Sequence, residues 1–313
     1  MTPSAQSQRY RFSAIDLAVI LLLALIAAVP LWGAGMVNTR AGGDSPFLLQ
    51  RTMDMAENLR HGAIPARWMA HAAYDLGMPF FNHYAALPYY LSGGLTALGL
   101  SPVIAIQSVQ TLGLILSGLT MALWARRIHR TRLGVLASVT AYLFAPFHLV
   151  NLYVRGDSLS EFYAFVWYPL ILWTIDRLAD RHTAGSNPIY GALPGTFGRI
   201  FAAGLAYGAL ILTHNVSLLI FSPFALLYAL LRLRPRHLTA NTAMRALLMI
   251  SAPFILGMML TAWFWVPALV ELRYGQLGET FTEGYFHFSR HFRGLNVIQP
   301  ELVFDYTAPT STE

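Results

Sequence analysis

Ile15-Asp-Leu-Ala-Val-Ile-Leu-Leu-Leu-Ala-Leu-Ile-Ala-Ala-Val-Pro-Leu-Trp-Gly-Ala-Gly-Met36 is an apolar run with a single acid, Asp16, at its start. It is longer than the apolar region of a signal peptide and lacks a clear small-residue cleavage site, so it reads as a retained membrane anchor. The rest of the chain agrees. Hydrophobic residues make up 56% of it, charged residues 12%, and the mean hydropathy is +0.49, well outside the range of an ordinary soluble domain. Cysteine is absent, which excludes a disulfide framework, a thiol nucleophile and a Cys-ligated metal. The net charge of +6 comes entirely from arginine. Those arginines cluster at the ends of apolar runs, which is a signal of membrane topology rather than of nucleic-acid binding.

Seven spans fit the apolar runs, at about 13–36, 102–125, 133–153, 161–178, 199–213, 216–231 and 246–271, judged against the thickness of a bilayer core. With the N-terminus inside, the inner segments hold 13 of the 21 arginines and only three of the 15 acids, Asp16, Asp176 and Asp180. The positive-inside rule selects that orientation. Phe80–Leu100 is apolar but interrupted by His83, Pro88 and Gly93-Gly94. Counting it as a span would put Arg126–Arg132 outside, so it reads as a re-entrant or juxtamembrane element on the outer side. Ile200–Leu231 is too long for one straight span and short for two; a hairpin broken at Thr213-His214-Asn215 keeps both arginine-flanked ends inside. The expectation is an all-α polytopic bundle over 1–272. Its first outer loop, 37–80, is long and carries an interfacial helix at Pro46–Arg60, with Leu48, Thr52, Met55 and Leu59 on one face. Residues 273–313 read as the start of an outer segment that is cut short.

The chemistry-bearing residues fall on the outer side of this topology. Asp44 precedes the helix at Pro46 and either caps its start or serves as a general base at the membrane surface. Arg155-Gly-Asp157-Ser-Leu-Ser-Glu161 sits between two apolar runs. Asp157 and Glu161 are four apart and share a face on a helix. Arg155 either pairs with one of them in a solvated loop or grips a phosphate by its planar fork. His214, in the hairpin break, either caps backbone groups or donates to a phosphate. Trp263-Phe-Trp-Val-Pro267 with Glu271 ends the last run as an interfacial belt. No dependable metal motif, phosphate loop or Ser-His-Asp signature stands out.

Taken in order, a set of stretches resembles one family. They are Gly43-Asp44-Ser-Pro-Phe, Gly62-Ala-Ile-Pro-Ala-Arg67-Trp68, Gly77-Met-Pro-Phe-Phe-Asn82-His-Tyr84 and Leu87-Pro-Tyr-Tyr90, followed by Tyr142-Leu-Phe-Ala-Pro146, Asn151-Leu-Tyr-Val-Arg155-Gly-Asp157, Ser160-Glu161, Leu212-Thr-His214-Asn215 and Trp263-Phe-Trp-Val-Pro267 with Glu271. The set resembles the bacterial membrane-protein family labelled 6-pyruvoyl-tetrahydropterin synthase-related domain, which looks like the GT-C superfamily of polytopic glycosyltransferases. The resemblance spans about 43–271. It implies sugar transfer from a polyprenyl-phosphate donor to an envelope acceptor, in the bacterial inner (cytoplasmic) membrane and at its outer face, with the N-terminus cytoplasmic. In that frame Asp44 is the catalytic carboxylate, which acts as base or orients the acceptor hydroxyl. Arg155 and His214 hold the lipid phosphate, with Asn215 beside them and Arg67 in reserve. Asp157 and Glu161 orient Arg155 or bind sugar or a divalent cation. Membrane lipids are partners and nucleic acid is not. Two other readings stay open: a lipid-carrier-binding scaffold of an envelope-assembly complex, which needs no base, and, ranked last, a transporter.

Overall fold

A computed structural model describes residues 12–32, 45–154, 158–183, 193–235 and 239–275. The described residues are helical throughout apart from turns and one isolated antiparallel bridge, Met69 to Met78. The helices are α1 (Ala14–Ala28), α2 (Ser45–Arg60), α3 (Ala72–Asp75), α4 (Phe80–His83), α5 (Leu87–Ala97), α6 (Pro102–Ile128), α7 (Arg132–Leu143), α8 (Pro146–Leu149), α9 (Leu159–Thr183), α10 (Leu193–Ile211), α11 (Asn215–Leu233), α12 (Ala240–Leu260) and α13 (Ala262–Glu271).

Four of these are long and apolar enough to cross a membrane: α1 with its continuation to Trp32, α6, α11 and α12. A fifth candidate is the bent pair 132–143 and 146–153. Such helices fit a membrane protein. The sequence pattern counted seven, and the difference has local causes. The run 246–271 still supplies one span, α12, although it breaks at Thr261, whose hydroxyl caps back onto the Gly257 carbonyl at 2.8 Å, leaving α13 as a separate short helix. The apolar part of α10 is short, Gly195–Ile211. In α9, 25 residues long, the length suffices but Glu161, Asp176, Arg177 and Asp180 lie within it, and such charges lower the helix's hydropathy. Phe80–Leu100, which was not among the seven, divides into α4 and α5, and the 11 residues of α5 reach only about 16 Å at 1.5 Å per residue.

The ion pairs fix one end of the bundle. Asp16 closes a capping box with Ser13, its carboxylate taking the Ser13 N–H at 2.7 Å, and pairs with Arg132 at the start of α7 at 2.7 Å. Asp176 accepts from Arg232 at 2.5 Å and from the Tyr228 hydroxyl at 2.9 Å, tying α9 to α11. Asp180 takes Arg127 of α6 at 2.6 Å. All three acids assigned to inner segments are therefore paired with arginines assigned to inner segments. Buried charge of this kind is held only where it is matched.

Helix faces meet where side chains are small. A Cβ on Gly257 of α12 would stand 2.9 Å from the Gly204 carbonyl and 3.0 Å from the Gly208 amide of α10. This is the close approach that small residues four apart permit between apolar helices. On the other side, Gly93 of α5 lets Met55 and Ala56 of α2 sit against its backbone, so α2 rests on α5 with Leu48, Met55 and Ala56 fully buried.

Candidate functional site

At the end opposite the ion pairs, α4, the break between α10 and α11, and α13 come together. Leu87 donates its N–H to the Leu212 carbonyl at 2.8 Å, and Asn215 donates to the His83 carbonyl at 2.9 Å. Trp167 of α9 reaches the Thr213 hydroxyl at 2.8 Å. The chain between α2 and α4 folds over this end. Gly62, at φ +72°, ends α2, as a left-handed glycine after a helix does. The Ala66 N–H then donates to the Tyr90 hydroxyl at 2.7 Å, and Gly77, at φ +76°, packs so closely on the Trp68 indole that a side chain there would collide with it.

Between these pieces lies an apolar cavity of about 280 Å³ lined by Pro65, Phe81, Leu87, Tyr90, Leu212 and Phe264, among others. Arg67 does not itself line the cavity, but it follows the lining residue Ala66 in sequence and is bonded to the carbonyl of another, Trp263, which sets it at the edge. Its guanidinium donates to the Asn82 side-chain oxygen and, at 3.1 Å, to the Trp263 carbonyl. Asn82 is buried and passes the link on, donating through Nδ2 to Glu271 at 2.7 Å. The chain Arg67–Asn82–Glu271 thus joins a cation to an anion through an amide whose two ends match their neighbours. A half-buried arginine at the rim of an apolar cavity is suited to an anionic headgroup on an apolar tail, since its fork retains directional donors and its charge is weakly screened there.

The other residues singled out from the sequence are placed as follows. His214 sits at the N-cap of α11, where its Nδ1 accepts the Ser217 N–H at 3.3 Å and contacts the Ser217 hydroxyl at 2.7 Å. That is the capping alternative. Glu161, in the first turn of α9, accepts from the Ser158 hydroxyl at 2.9 Å. Tyr168, two turns on in α9, packs on Phe221 of α11 with ring centroids 4.5 Å apart. Asn215 is spent on the His83 carbonyl. Asp44, Arg155 and Asp157 lie outside the described residues.

Two features of this end were not read from the sequence. Arg51 of α2 donates to the Tyr89 hydroxyl at 3.1 Å and lies 4.7 Å from the Phe80 ring centroid, with Tyr84, Phe47 and Tyr89 also within 6 Å. Cation–π contact of this kind fastens α2 to α4 and α5. The second is Asp54. The helix pattern put it off the apolar face of α2, yet it is 1% exposed and its Oδ1 stands 2.6 Å from His71 Nδ1. The hydrogen bond to Asp54, and then the charge of that carboxylate, hold the His71 pKa above the ordinary histidine value. No protein-family model, curated protein or solved structure matches this chain.

Proposed function

We propose that the protein is a membrane glycosyltransferase-like protein of GT-C type. It takes sugar from a polyprenyl-phosphate donor and delivers it to an envelope acceptor at the outer face of the bacterial inner membrane. The bundle carries seven spans, α9 and the hairpin α10–α11 among them, and its N-terminus is cytoplasmic. The observation that carries this reading is the apolar cavity with Arg67 at its edge, held by Asn82, Glu271 and the Trp263 carbonyl. The distribution of charge supports the orientation. The arginine-rich end is tied by acid pairs, and the cavity lies at the other end, where a periplasmic substrate would arrive.

In this scheme the polyprenyl chain lies against the apolar helices and its first units enter the cavity. Arg67, together with Arg155, carries the phosphate. The fixed positive charge offsets the negative charge that builds on the departing phosphate, and a partly dry site strengthens the effect. Asp44 deprotonates or orients the acceptor hydroxyl. Asp157 and Glu161 set Arg155 or hold sugar hydroxyls. His214 shapes the site from its capping position, with Asn215 holding His83.

The test is binding of a polyprenyl phosphate to the purified chain, beside Arg67→Ala and Arg155→Ala. Saturable binding that weakens at least about tenfold in both variants, the loss of a charge-assisted phosphate contact, supports the site. Saturable binding unchanged in both would place the phosphate elsewhere. Binding that persists while Asp44→Asn and wild type transfer no sugar to any acceptor favours the carrier-binding scaffold.

A further inference from the structure

We propose that Asp54, Glu57 and His71 form a binding site for one divalent first-row transition-metal ion. The site is independent of the cavity and of the sugar-transfer reading. Asp54 and Glu57 are three apart on α2 and so share a face. His71 reaches them from the following loop, and the ligand atoms of all three lie within 4.8 Å of one another.

The cluster is built rather than incidental. The His71 carbonyl accepts from Gln50 at 2.6 Å, and its N–H donates to Asp54 at 3.3 Å. Asn58 holds the same loop at the Trp68 carbonyl, at 2.8 Å. Both sides of His71 are thereby clamped to α2 before any ion arrives, as the outer partners of metal ligands commonly are.

The observation that points to a cation is Asp54. Its side chain is 1% exposed and directed at His71, and its Oδ2 is buried with no hydrogen-bond partner among the described residues. One proton shared with His71 satisfies only Oδ1, and it leaves net negative charge on a cluster that also contains Glu57. A divalent ion cancels the charge of both carboxylates. The spacing suits it. Around a tetrahedral ion with bonds of about 2.0–2.1 Å, ligand atoms stand roughly 3.3–3.5 Å apart. His71 Nδ1 is 3.5 Å from Glu57 Oε2 already. The 2.6 Å separation from Asp54 is a hydrogen bond, which opens by less than about 1 Å when the metal replaces the shared proton. Mixed imidazole and carboxylate ligands select zinc or manganese over calcium.

Access is open. Glu57 and His71 line a cavity of about 540 Å³ with Arg60 and His61. Arg60 is turned to the Thr96 carbonyl at 2.8 Å, and water can fill the remaining positions on the ion.

The experiment is calorimetric titration of Zn²⁺, and separately Mn²⁺, into the chelator-washed full chain, purified through a tag that contains no histidine. Asp54→Asn and His71→Gln are titrated in parallel, and detergent thermostability reports that each is folded. His71 is exposed enough that its variant keeps the fold even if Asp54→Asn does not. The expected result is one equivalent of one of the two ions bound by wild type, a raised melting temperature with that ion, and at least about tenfold weaker binding in each folded variant. Absence of saturable binding of either ion by folded wild type would overturn the proposal. So would binding of unchanged strength in His71→Gln.

Discussion

Asn82 is the residue on which the candidate site turns. It is 2% exposed and satisfies both Arg67 and Glu271, which lies 189 positions away in sequence. Replacing it with leucine keeps the volume but removes both hydrogen bonds. The expected cost is about 1–3 kcal/mol, the penalty for unmaking bonds to charged groups, and a lowered melting temperature in detergent reports it. A variant as stable as wild type would mean that Arg67 and Glu271 close the gap by pairing directly. Little of this was legible in advance. The motif containing Arg67 and the one containing Glu271 were both picked out of the sequence, but nothing local says that they meet. Asp54 shows the same limit. Helical periodicity assigns it to the polar flank of α2, and it is buried because His71 arrives from a loop whose path no local pattern specifies.

Helices and their junctions were more legible than sites. The helix after Asp44 and a break at Thr213-His214-Asn215, one residue beyond the observed 212–214, were both read from local signals, a proline near a helix start and a polar interruption in a long apolar run. Those signals are local because caps and breaks satisfy local backbone groups. The fracture at Thr261 was not anticipated, since Thr261-Ala262 interrupts no apolar pattern. Nor was the contact of Gly204 and Gly208 with Gly257, which depends on how α10 and α12 cross. Two predictions belong here. Gly257→Leu drives a branched side chain into the α10 backbone and lowers stability by about 1–3 kcal/mol, as overpacking does, whereas leucine at Gly94, whose Cβ direction is open, costs less; equal melting temperatures for the two would contradict the close crossing. Asp176→Asn leaves Arg232 without its anionic partner. Because Arg232 is 46% exposed, water takes over part of its solvation and the loss is roughly 1–2 kcal/mol, below that of a fully buried pair. Thermal melting of Asp176→Asn, of Arg232→Gln and of the double variant measures the coupling.

The whole molecule is polarised, with paired acids and arginines at one end and an apolar cavity with a polar rim at the other. Because the chain has no cysteine, single cysteines can be introduced at exposed positions with no background. A cysteine at Ala63, in the turn after α2, is expected to react with an impermeant maleimide added to intact spheroplasts. One at Thr131, between α6 and α7, is expected to react only after the membrane is opened. The reverse pattern would turn the molecule over and put the cavity on the cytoplasmic side. The most direct measurement is photocrosslinking of the purified protein with a polyprenyl phosphate that carries a photoreactive group in its first isoprene units, followed by peptide mapping. The account predicts adducts on the cavity lining around Pro65, Leu212 and Phe264, displaced by unmodified polyprenyl phosphate and diminished in Arg67→Ala. Adducts spread along the lipid-facing sides of α1, α11 and α12, with no competition, would contradict it.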